Sequence, residues 1–170
     1  RHVAPETYKY LKRHHADLGH RGSASMEYEA WYAHWCPREA KKFKSPKILT
    51  HVLASRATFA FDEKGRYWFV GGGNAGVYGL ILRKDLEIDE WFLLGLLNSK
   101  YFDGVLKNIS SRFRGGFYSY AKRFIERVPV RVDAFTANER DVVQRVAGLA
   151  KKIATLKAEG ETDCELLEKE

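Results

Sequence analysis

The side chains best suited to binding a ligand are concentrated in residues 110–123, with the sequence SSRFRGGFYSYAKR. This segment interleaves guanidinium groups and hydroxyls with two glycines and four aromatic rings. Arginine forks match the acceptor edge of guanine in the major groove, and hydroxyl and ammonium groups suit phosphate oxygens. The alternative is an edge strand whose aromatic rings alternate into the core. Both interpretations hold if the aromatic rings point inward and the basic side chains point outward. The segment is therefore a candidate nucleic-acid contact.

A second pattern, GGGNAG at residues 71–76, satisfies the GxGxxG spacing of dinucleotide-binding loops. In those loops a helix opens at the last glycine, so that its amide groups face the phosphates. Here the chain continues as VYGLIL, which is a β-type run. We therefore predict a glycine loop between strands and no cofactor bound by this domain.

Histidine and cysteine spacing predicts neither a metal site nor a nucleophile. His14, His15 and His20 are close in sequence, but adjacent histidines project from different sides of a helix, and no carboxylate or cysteine lies at a useful spacing. His34 and Cys36 would not face each other on a helix. The two cysteines of the chain lie far apart without a CxxC partner, which predicts reduced thiols in a cytosolic protein. No catalytic residue and no metal ligand is therefore expected.

The net charge of +7 is unevenly distributed along the chain. Residues 104–131 carry seven basic residues against one acidic residue, and residues 38–56 carry six against one. The balance reverses in residues 157–170, where six acidic residues oppose two basic ones. Segregated positive charge is typical of a protein that binds a polyanion. Two solvated basic faces would produce the same pattern, so charge alone leaves both interpretations open.

Length and composition favour one globular domain cut from a longer protein. The 170 residues are 45% hydrophobic and 14% aromatic, which suffices for a folded core. The chain begins at Arg1 rather than at a methionine, which suggests a fragment. No apolar run reaches the roughly 18 residues that a membrane span requires, so no membrane partner is predicted.

Capping residues and apolar spacing predict two helices before residue 110. A short amphipathic helix begins near Pro5 and ends near Gly19 or Gly22. Asp89 is the expected N-cap of a second helix that runs from residue 90 to about residue 108. This second helix is apolar almost all round, which is typical of a central buried helix.

Four β-type runs and a long final helix complete the prediction. The runs cover residues 47–53, 58–62, 66–70 and 77–83. The turn at residues 63–65 joins the second and third runs as a hairpin. Thr136 and Glu139 predict a capping box for the last helix, which ends near Gly160. The expected fold class is α+β: a small mixed or antiparallel sheet with a central buried helix and a long C-terminal amphipathic helix.

These elements predict a single domain over residues 1–160, followed by an acidic tail over residues 161–170. Within the domain, residues 1–44 are a helical and aromatic segment with a basic connector, residues 45–135 are the α+β core, and residues 136–160 are the C-terminal helix. No internal repeat or low-complexity stretch divides the chain further.

Five short motifs, taken in their order and spacing, resemble one known family. They are PKIL at residues 46–49, FAFDEKGRY at 59–67, LGLLNSK at 94–100, RGG with YSY at 114–120, and RVPV at 127–130. Together they resemble the C-terminal specificity domain, or target-recognition domain, of TaqI-like and type IIG restriction–modification methyltransferases. These enzymes are adenine-specific, and related phage-defence methylases share the domain. The resemblance covers roughly residues 31–156.

The resemblance implies a division of labour. In such enzymes an N-terminal domain binds S-adenosylmethionine and flips the adenine, whereas the C-terminal domain recognises the DNA sequence. The chain has no Asn-Pro-Pro-aromatic motif to hold a flipped base, which fits that arrangement. The implied partners are double-stranded DNA and the N-terminal methyltransferase domain of the parent chain, in a prokaryotic cytoplasm.

The positions of the motifs also imply where DNA is contacted. We expect DNA near Arg112, Arg114, Gly115, Gly116, Tyr118, Ser119, Lys122 and Arg123. Second-rank candidates for phosphate contacts are Lys42, Lys44 and Lys47.

Three other functions stay open. A type I restriction specificity subunit contains a similar target-recognition module, although it usually has two of them separated by long helices. A protein-interaction or oligomerisation module would leave the apolar face of the last helix exposed in the monomer. That face carries Val142, Val146, Leu149, Ile153 and Leu156. An independent nuclease would require a metal-binding carboxylate cluster, which the sequence lacks.

Overall fold

The computed structural model describes residues 4–20, 30–33, 39–69, 73, 75–83, 85–86, 88–131 and 135–160. Backbone contacts divide the chain into two compact units, Arg1–Ala40 and Lys41–Glu170. The prediction of a single domain over residues 1–160 stays a prediction. Outside the described residues lie His34, Cys36, the acidic tail and residues 71, 72 and 74 of the glycine loop.

The first unit contains two short helices, α1 (Pro5–Arg13) and α2 (His15–Gly19). A break at His14 replaces the predicted single helix, and α2 ends at one of the two glycines predicted to stop it. The rings of Tyr8 and Trp31 pack at a centroid distance of 5.9 Å. Neither helix buries a residue completely, so ring packing is the main contact of this unit among its described residues.

Two small antiparallel sheets follow a short helix, α3 (Ala40–Lys44), which occupies part of the predicted basic connector. The strands are β1 (Lys47–His51), β2 (Leu53–Ala54), β3 (Ala60–Asp62), β4 (Val77–Leu80) and β5 (Tyr118–Ser119). One sheet has the order β3–β1–β4, and the other pairs β2 with β5. The predicted strand over residues 47–53 is therefore divided at Val52. The Val52 carbonyl accepts the Tyr120 N–H at 2.8 Å, which holds the second sheet beside the first.

The predicted hairpin between residues 58–62 and 66–70 is wrong. β3 pairs with β1 instead, and no strand forms over the described residues that follow the turn. The cause is the Asp62 carboxylate, which accepts the N–H groups of Arg66 at 2.9 Å and Tyr67 at 3.0 Å. These are the backbone donors that a hairpin ladder would need, so the chain turns away from β3.

The predicted single helix from residue 90 to about residue 108 is also wrong, because it divides into α4 (Glu90–Leu97) and α5 (Lys100–Ile109). The N-cap Asp89 is confirmed, since its side chain accepts the N–H groups of Trp91 and Phe92. A second N-cap, Ser99, accepts the Phe102 N–H at 3.1 Å and starts α5. Two capped helices therefore replace one continuous helix.

The side chain of Asn98 explains why the break lies between α4 and α5. Its carbonyl oxygen accepts the Phe59 N–H at 2.8 Å, and its amide donates to the Phe59 carbonyl at 3.0 Å. This pair of bonds copies the pattern of a neighbouring strand and satisfies both backbone groups of Phe59. Asn98 ends α4 and at the same time fixes the chain between β2 and β3.

The core of the second unit lies between the sheets and the α4–α5 pair, as the prediction of a central buried helical segment requires. Ile48 on β1, Leu97 on α4 and Leu106 on α5 are almost completely buried. Phe59 packs edge-on against Phe102, with ring centroids 5.6 Å apart. Burial of these side chains supplies most of the stabilisation, and the α+β fold class is confirmed.

The last helices are α6 (Lys122–Ile125) and α7 (Ala137–Ala158). Both hydrogen bonds of the predicted Thr136–Glu139 capping box are present, which confirms it. α7 packs on α4, where Gly95 leaves room for the side chain of Val146. No helix in the described part of the chain is both long and apolar enough to cross a bilayer.

Candidate nucleic-acid interface

Residues 111–119 form a short antiparallel hairpin, which we call the basic hairpin. Arg112 pairs with Tyr118 across it in a single β-bridge. Closer to the tip, the Phe113 N–H donates to the Phe117 carbonyl at 2.7 Å. The β2–β5 pairing continues this hairpin into the folded core. The candidate nucleic-acid contact is therefore a two-stranded ribbon whose base is paired with the core.

The tip of the basic hairpin is a tight turn over Arg114–Gly116. Gly115 has a φ of +76° and Gly116 has a φ of +78°. A residue with a Cβ adopts this left-handed conformation at a cost of about 1–2 kcal/mol, so glycine suits both positions. Both glycines are exposed, and the backbone of the tip is open to a ligand.

The four aromatic rings of this segment differ in burial. Tyr120 is completely buried, and Phe113 and Tyr118 are half-buried. Phe117, in contrast, is 43% exposed. Both interpretations of the sequence therefore hold in part, because the rings near the base enter the core while the ring beside the tip stays at the surface.

Asp103 on α5 holds the base of the basic hairpin. Its carboxylate accepts hydrogen bonds from the Tyr120 hydroxyl and from the Ala57 N–H, the latter at 2.7 Å. The Lys107 ammonium donates to the same carboxylate at 2.6 Å and lies 5.4 Å from the centre of the Tyr118 ring. One side chain thus connects a helix, a loop and the hairpin.

The protonation states at this junction follow from their surroundings. Burial opposes ionisation of Asp103, but hydrogen bonds, led by that from Lys107, outweigh it and hold the pKa of the carboxyl below its ordinary value. Burial, followed by the hydrogen bond to Asp103, raises the pKa of Tyr120. Tyr120 therefore remains a neutral donor to a charged acceptor, which is the stronger kind of hydrogen bond.

Four of the contact residues predicted in residues 110–123 have exposed basic side chains: Arg112, Arg114, Lys122 and Arg123. The first two lie on the basic hairpin, and the other two lie at the start of α6. Within the described ranges no carboxylate forms an ion pair with any of them. Their positive charge is therefore available to an anionic ligand.

Lys47 and Ser119 were also predicted contacts, but both are buried. The Lys47 side chain is 1% exposed, and its ammonium donates to the Asp62 carboxylate and, at 2.6 Å, to the Phe43 carbonyl. Ser119 is 3% exposed in β5. Because neither side chain reaches the surface, neither is placed to contact DNA. The other two lysines of the second-rank set, Lys42 and Lys44, are exposed on α3.

The glycine pattern and the histidine pattern are described only in part, because residues 34–38, 70–72 and 74 lie outside the described residues. β4 begins at Val77 directly after Gly76, so a strand follows the described end of the glycine loop, as predicted. Among the residues that the structure places, no three His, Cys, Asp or Glu side chains come together as metal ligands would.

The model of the TaqI-like C-terminal specificity domain matches residues 5–130 of the chain. The chain belongs to this family. Specificity domains serve sequence-specific DNA recognition in restriction–modification systems and are not themselves catalytic. A search of curated proteins found no match to the chain. The exposed bases of this specificity domain accordingly belong to a domain that works on DNA together with a methyltransferase.

Sequence reasoning missed the residues that support the basic hairpin. Asp103 and Lys107 have the i,i+4 spacing of a helical ion pair, which was a visible signal. The bond from Tyr120 to Asp103 spans 17 residues, and no local pattern indicates it. The predicted contact residues follow from charge and composition, whereas the residues that hold the hairpin depend on tertiary packing.

Proposed function

We propose that this specificity domain recognises a base sequence in double-stranded DNA on behalf of an adenine-specific methyltransferase, with the basic hairpin in the major groove. The major groove admits a two-stranded β-ribbon as well as a helix. The observation that carries the proposal is the pair of exposed guanidinium groups, Arg112 and Arg114, on a hairpin whose base is buried. A rigid base limits the entropy lost when these side chains bind.

Different members of the surface make different contacts. Arg114 at the tip and Arg112 beside it present donor forks suited to guanine O6 and N7. Gly115 and Gly116 let the backbone approach the base edges closely. Phosphate contacts, which set the position on the duplex, fall to Lys122, Arg123, Lys42 and Lys44. Tyr118 is half-buried beneath Lys107, and in this proposal it shapes the hairpin next to the DNA.

The parent protein is, in this proposal, an adenine-specific methyltransferase of a restriction–modification or phage-defence system in a prokaryotic cytoplasm. Its N-terminal methyltransferase domain supplies the S-adenosylmethionine site and the chemistry. The family assignment supports this division. The packing of α7 on α4 favours it over an interaction module, because four of the five residues of that face are partly covered within the chain and only Val142 is exposed: the covered ones are Val146, Leu149, Ile153 and Leu156.

The test is selection of binders from a randomised duplex library, followed by affinity measurements on the enriched site. Arg114→Ala is expected to weaken binding to that site by about 1–3 kcal/mol and to relax the preference at one position. Arg83→Ala is the matched control, since Arg83 is exposed and already paired with Asp85 at 3.0 Å. Absence of any enriched motif, or equal loss in both variants, contradicts the proposal.

A second variant separates phosphate contacts from base contacts. Lys122→Ala is expected to weaken binding to all duplexes alike and to reduce the slope of log K against log salt by about 0.9. Lys152→Ala on α7 removes the same charge from an exposed position and serves as the control. A loss confined to the selected site would reassign Lys122 to base recognition.

A further inference from the structure

An exposed group of aromatic rings lies on the second unit away from the basic hairpin. Phe43 and Trp68 stack face to face, with centroids 4.8 Å apart and planes 6° from parallel. Trp68 is 57% exposed and its neighbour Tyr67 is 65% exposed. With Phe69 these residues form a surface that we call the aromatic platform. Phe43 covers one face of the Trp68 indole by stacking. Because Trp68 is nevertheless more than half exposed, the opposite face of the indole is open to solvent.

The aromatic platform is built outward from the sheet. Phe69 lies on Gly79 of β4, where an added Cβ would come within 2.8 Å of its ring. Phe43 packs edge-on against Phe69, with centroids 5.2 Å apart, and Trp68 then covers Phe43. Because Gly79 has no side chain, the first ring rests directly on the strand, and each further ring rests on the one below it.

A buried ion pair fixes the backbone of the platform. Lys47 and Asp62, with side chains 1% and 3% exposed, pair beneath it. The Asp62 carboxylate also accepts the Tyr67 N–H at 3.0 Å, and the Lys47 ammonium donates to the Phe43 carbonyl at 2.6 Å. Both sides of the Phe43–Trp68 stack are therefore tied to one buried pair. Because the backbone beneath the exposed rings is held in place, little conformational entropy is lost when a ligand binds to them.

Exposed basic residues lie next to the aromatic residues in the chain. Lys44 directly follows Phe43, and Lys64 and Arg66 precede the exposed rings in the turn after β3. The backbone of this turn lies against that of Lys44, because a Cβ added at Gly65 would collide with the Lys44 carbonyl group. The backbones that carry the three basic side chains are therefore close together, and no ion pair to these side chains is found in the part of the chain that the structure describes.

The aromatic platform and the basic hairpin lie at opposite ends of the β1–β2 segment. The platform adjoins Lys47 at the start of β1, whereas the hairpin extends from β5 beyond Ala54. Seven residues of chain separate Lys47 from Ala54, and the platform and the hairpin share no residue. The platform is therefore a surface distinct from the hairpin contact.

We propose that the aromatic platform is a second DNA-binding site, at which an unpaired base stacks on Trp68 while Lys64 and Arg66 bind the flanking phosphates. Bases inside a duplex are covered on both faces, so an open indole face fits only a base outside the stack. Enzymes that modify a base extrude it from the duplex and thereby create unpaired nucleotides. The inference rests on the proposed function for the presence of such DNA, but its geometry is independent of the basic hairpin.

The test compares binding of a thymidine homopolymer of roughly 12 nucleotides with binding of a fully paired duplex of random sequence. Trp68→Ala is expected to weaken binding to the single strand at least about 5-fold, as loss of one stacked base does, and to leave duplex binding unchanged. Tyr101→Ala is the control, because Tyr101 is 60% exposed on α5 outside the platform. Equal effects of the two variants on single-strand binding overturn the proposal, as does a Trp68→Ala loss that is the same for both DNA forms.

Tryptophan fluorescence provides a readout of stacking itself. Trp68→Phe is expected to keep most of the single-strand affinity but to lose the quenching that the oligonucleotide causes, because the other three tryptophans lie elsewhere in the chain. Unchanged quenching in this variant contradicts stacking on Trp68. Failure of the proposed function has a different signature, since Arg114→Ala would then leave duplex specificity unaltered while the Trp68 variants still lose single-strand binding.

Discussion

The Tyr120 hydroxyl donates to the Asp103 carboxylate across 17 residues of chain, and this bond joins the base of the basic hairpin to α5. Tyr120 is completely buried, and its backbone N–H is bound to Val52. The same residue therefore fixes the hairpin through its main chain and through its side chain. The positions of the exposed arginines on the hairpin therefore depend on this buried contact.

Tyr120→Phe is expected to lower the free energy of unfolding by about 1.5–3 kcal/mol, the usual contribution of a hydrogen bond to a charged group. Urea denaturation measures the change. Tyr118→Phe is the control, because the described residues offer its half-buried hydroxyl no hydrogen-bond partner, and a change within about 0.5 kcal/mol is expected there. Equal losses in the two variants would show that the bond to Asp103 contributes nothing specific.

Stability is expected to fall in acid because of Asp62. Burial opposes its ionisation, but hydrogen bonds from Lys47 and from the Tyr67 and Arg66 backbone outweigh it and hold its pKa below the ordinary 3.8. A carboxyl with a lowered folded pKa contributes stability above the unfolded pKa and loses it as pH falls through the folded pKa. The free energy of unfolding, measured from pH 6 downward, should therefore decline below about pH 4.

Asp62→Asn removes this source of acid sensitivity. It leaves the buried Lys47 ammonium without its counter-charge, which costs about 3–5 kcal/mol at neutral pH. The acid slope should flatten in the same variant. Asp85→Asn, at the exposed pair with Arg83, should change stability by no more than about 1 kcal/mol. An unaltered acid slope in Asp62→Asn would assign the sensitivity to another carboxyl group.

Two helix glycines should respond in opposite directions to alanine. A Cβ at Gly95 would lie 2.7 Å from a methyl group of Val146, so Gly95→Ala should destabilise the α4–α7 contact by about 1–3 kcal/mol. A Cβ at Gly104 on α5 would meet nothing within 4 Å. Gly104→Ala should therefore stabilise the protein by about 0.5–1 kcal/mol. Thermal unfolding of both variants checks the pair, and a shared sign would contradict the packing described for α4 and α7.

The tip of the basic hairpin provides a test of backbone conformation. At Gly115 an added Cβ makes only ordinary contacts, 3.5 Å from the Phe117 ring, so the cost of Gly115→Ala is the left-handed φ, about 1–2 kcal/mol. Gly115→Asn should cost less, because asparagine adopts this conformation more readily. Binding to the selected duplex should fall more in the alanine variant. If both variants bind like the unchanged domain, the tip conformation is irrelevant to recognition.

The elements with local signals could be predicted from the sequence. The Asp89 cap, the Thr136–Glu139 capping box and the long amphipathic α7 depend on residues within a few positions of one another. The family resemblance likewise followed from short motifs, and the family model matches residues 5–130. Local chemistry was therefore sufficient for these two helix starts, the fold class and the family.

Two of the errors involve side chains whose partners are distant in sequence. Asn98 bonds to Phe59, 39 residues away, and this contact divides the predicted helix. Asp62 pairs with Lys47, 15 residues away, which buries a predicted phosphate contact. A lysine in a basic run resembles a surface residue until its carboxylate partner is known. Propensity and charge patterning contain no information about such pairs.

The narrow tip of the basic hairpin has a consequence for how recognition changes over time. Arg114, Gly115, Gly116 and Phe117 are exposed, while Tyr120 and Asp103 hold the ribbon from within. Substitutions at exposed side chains usually alter stability by less than about 0.5 kcal/mol. The arginines near the tip can therefore be substituted with little loss of stability, because the buried residues that hold the hairpin do not change. If the hairpin reads bases as proposed, a few substitutions there change the target site while the rest of the domain stays the same.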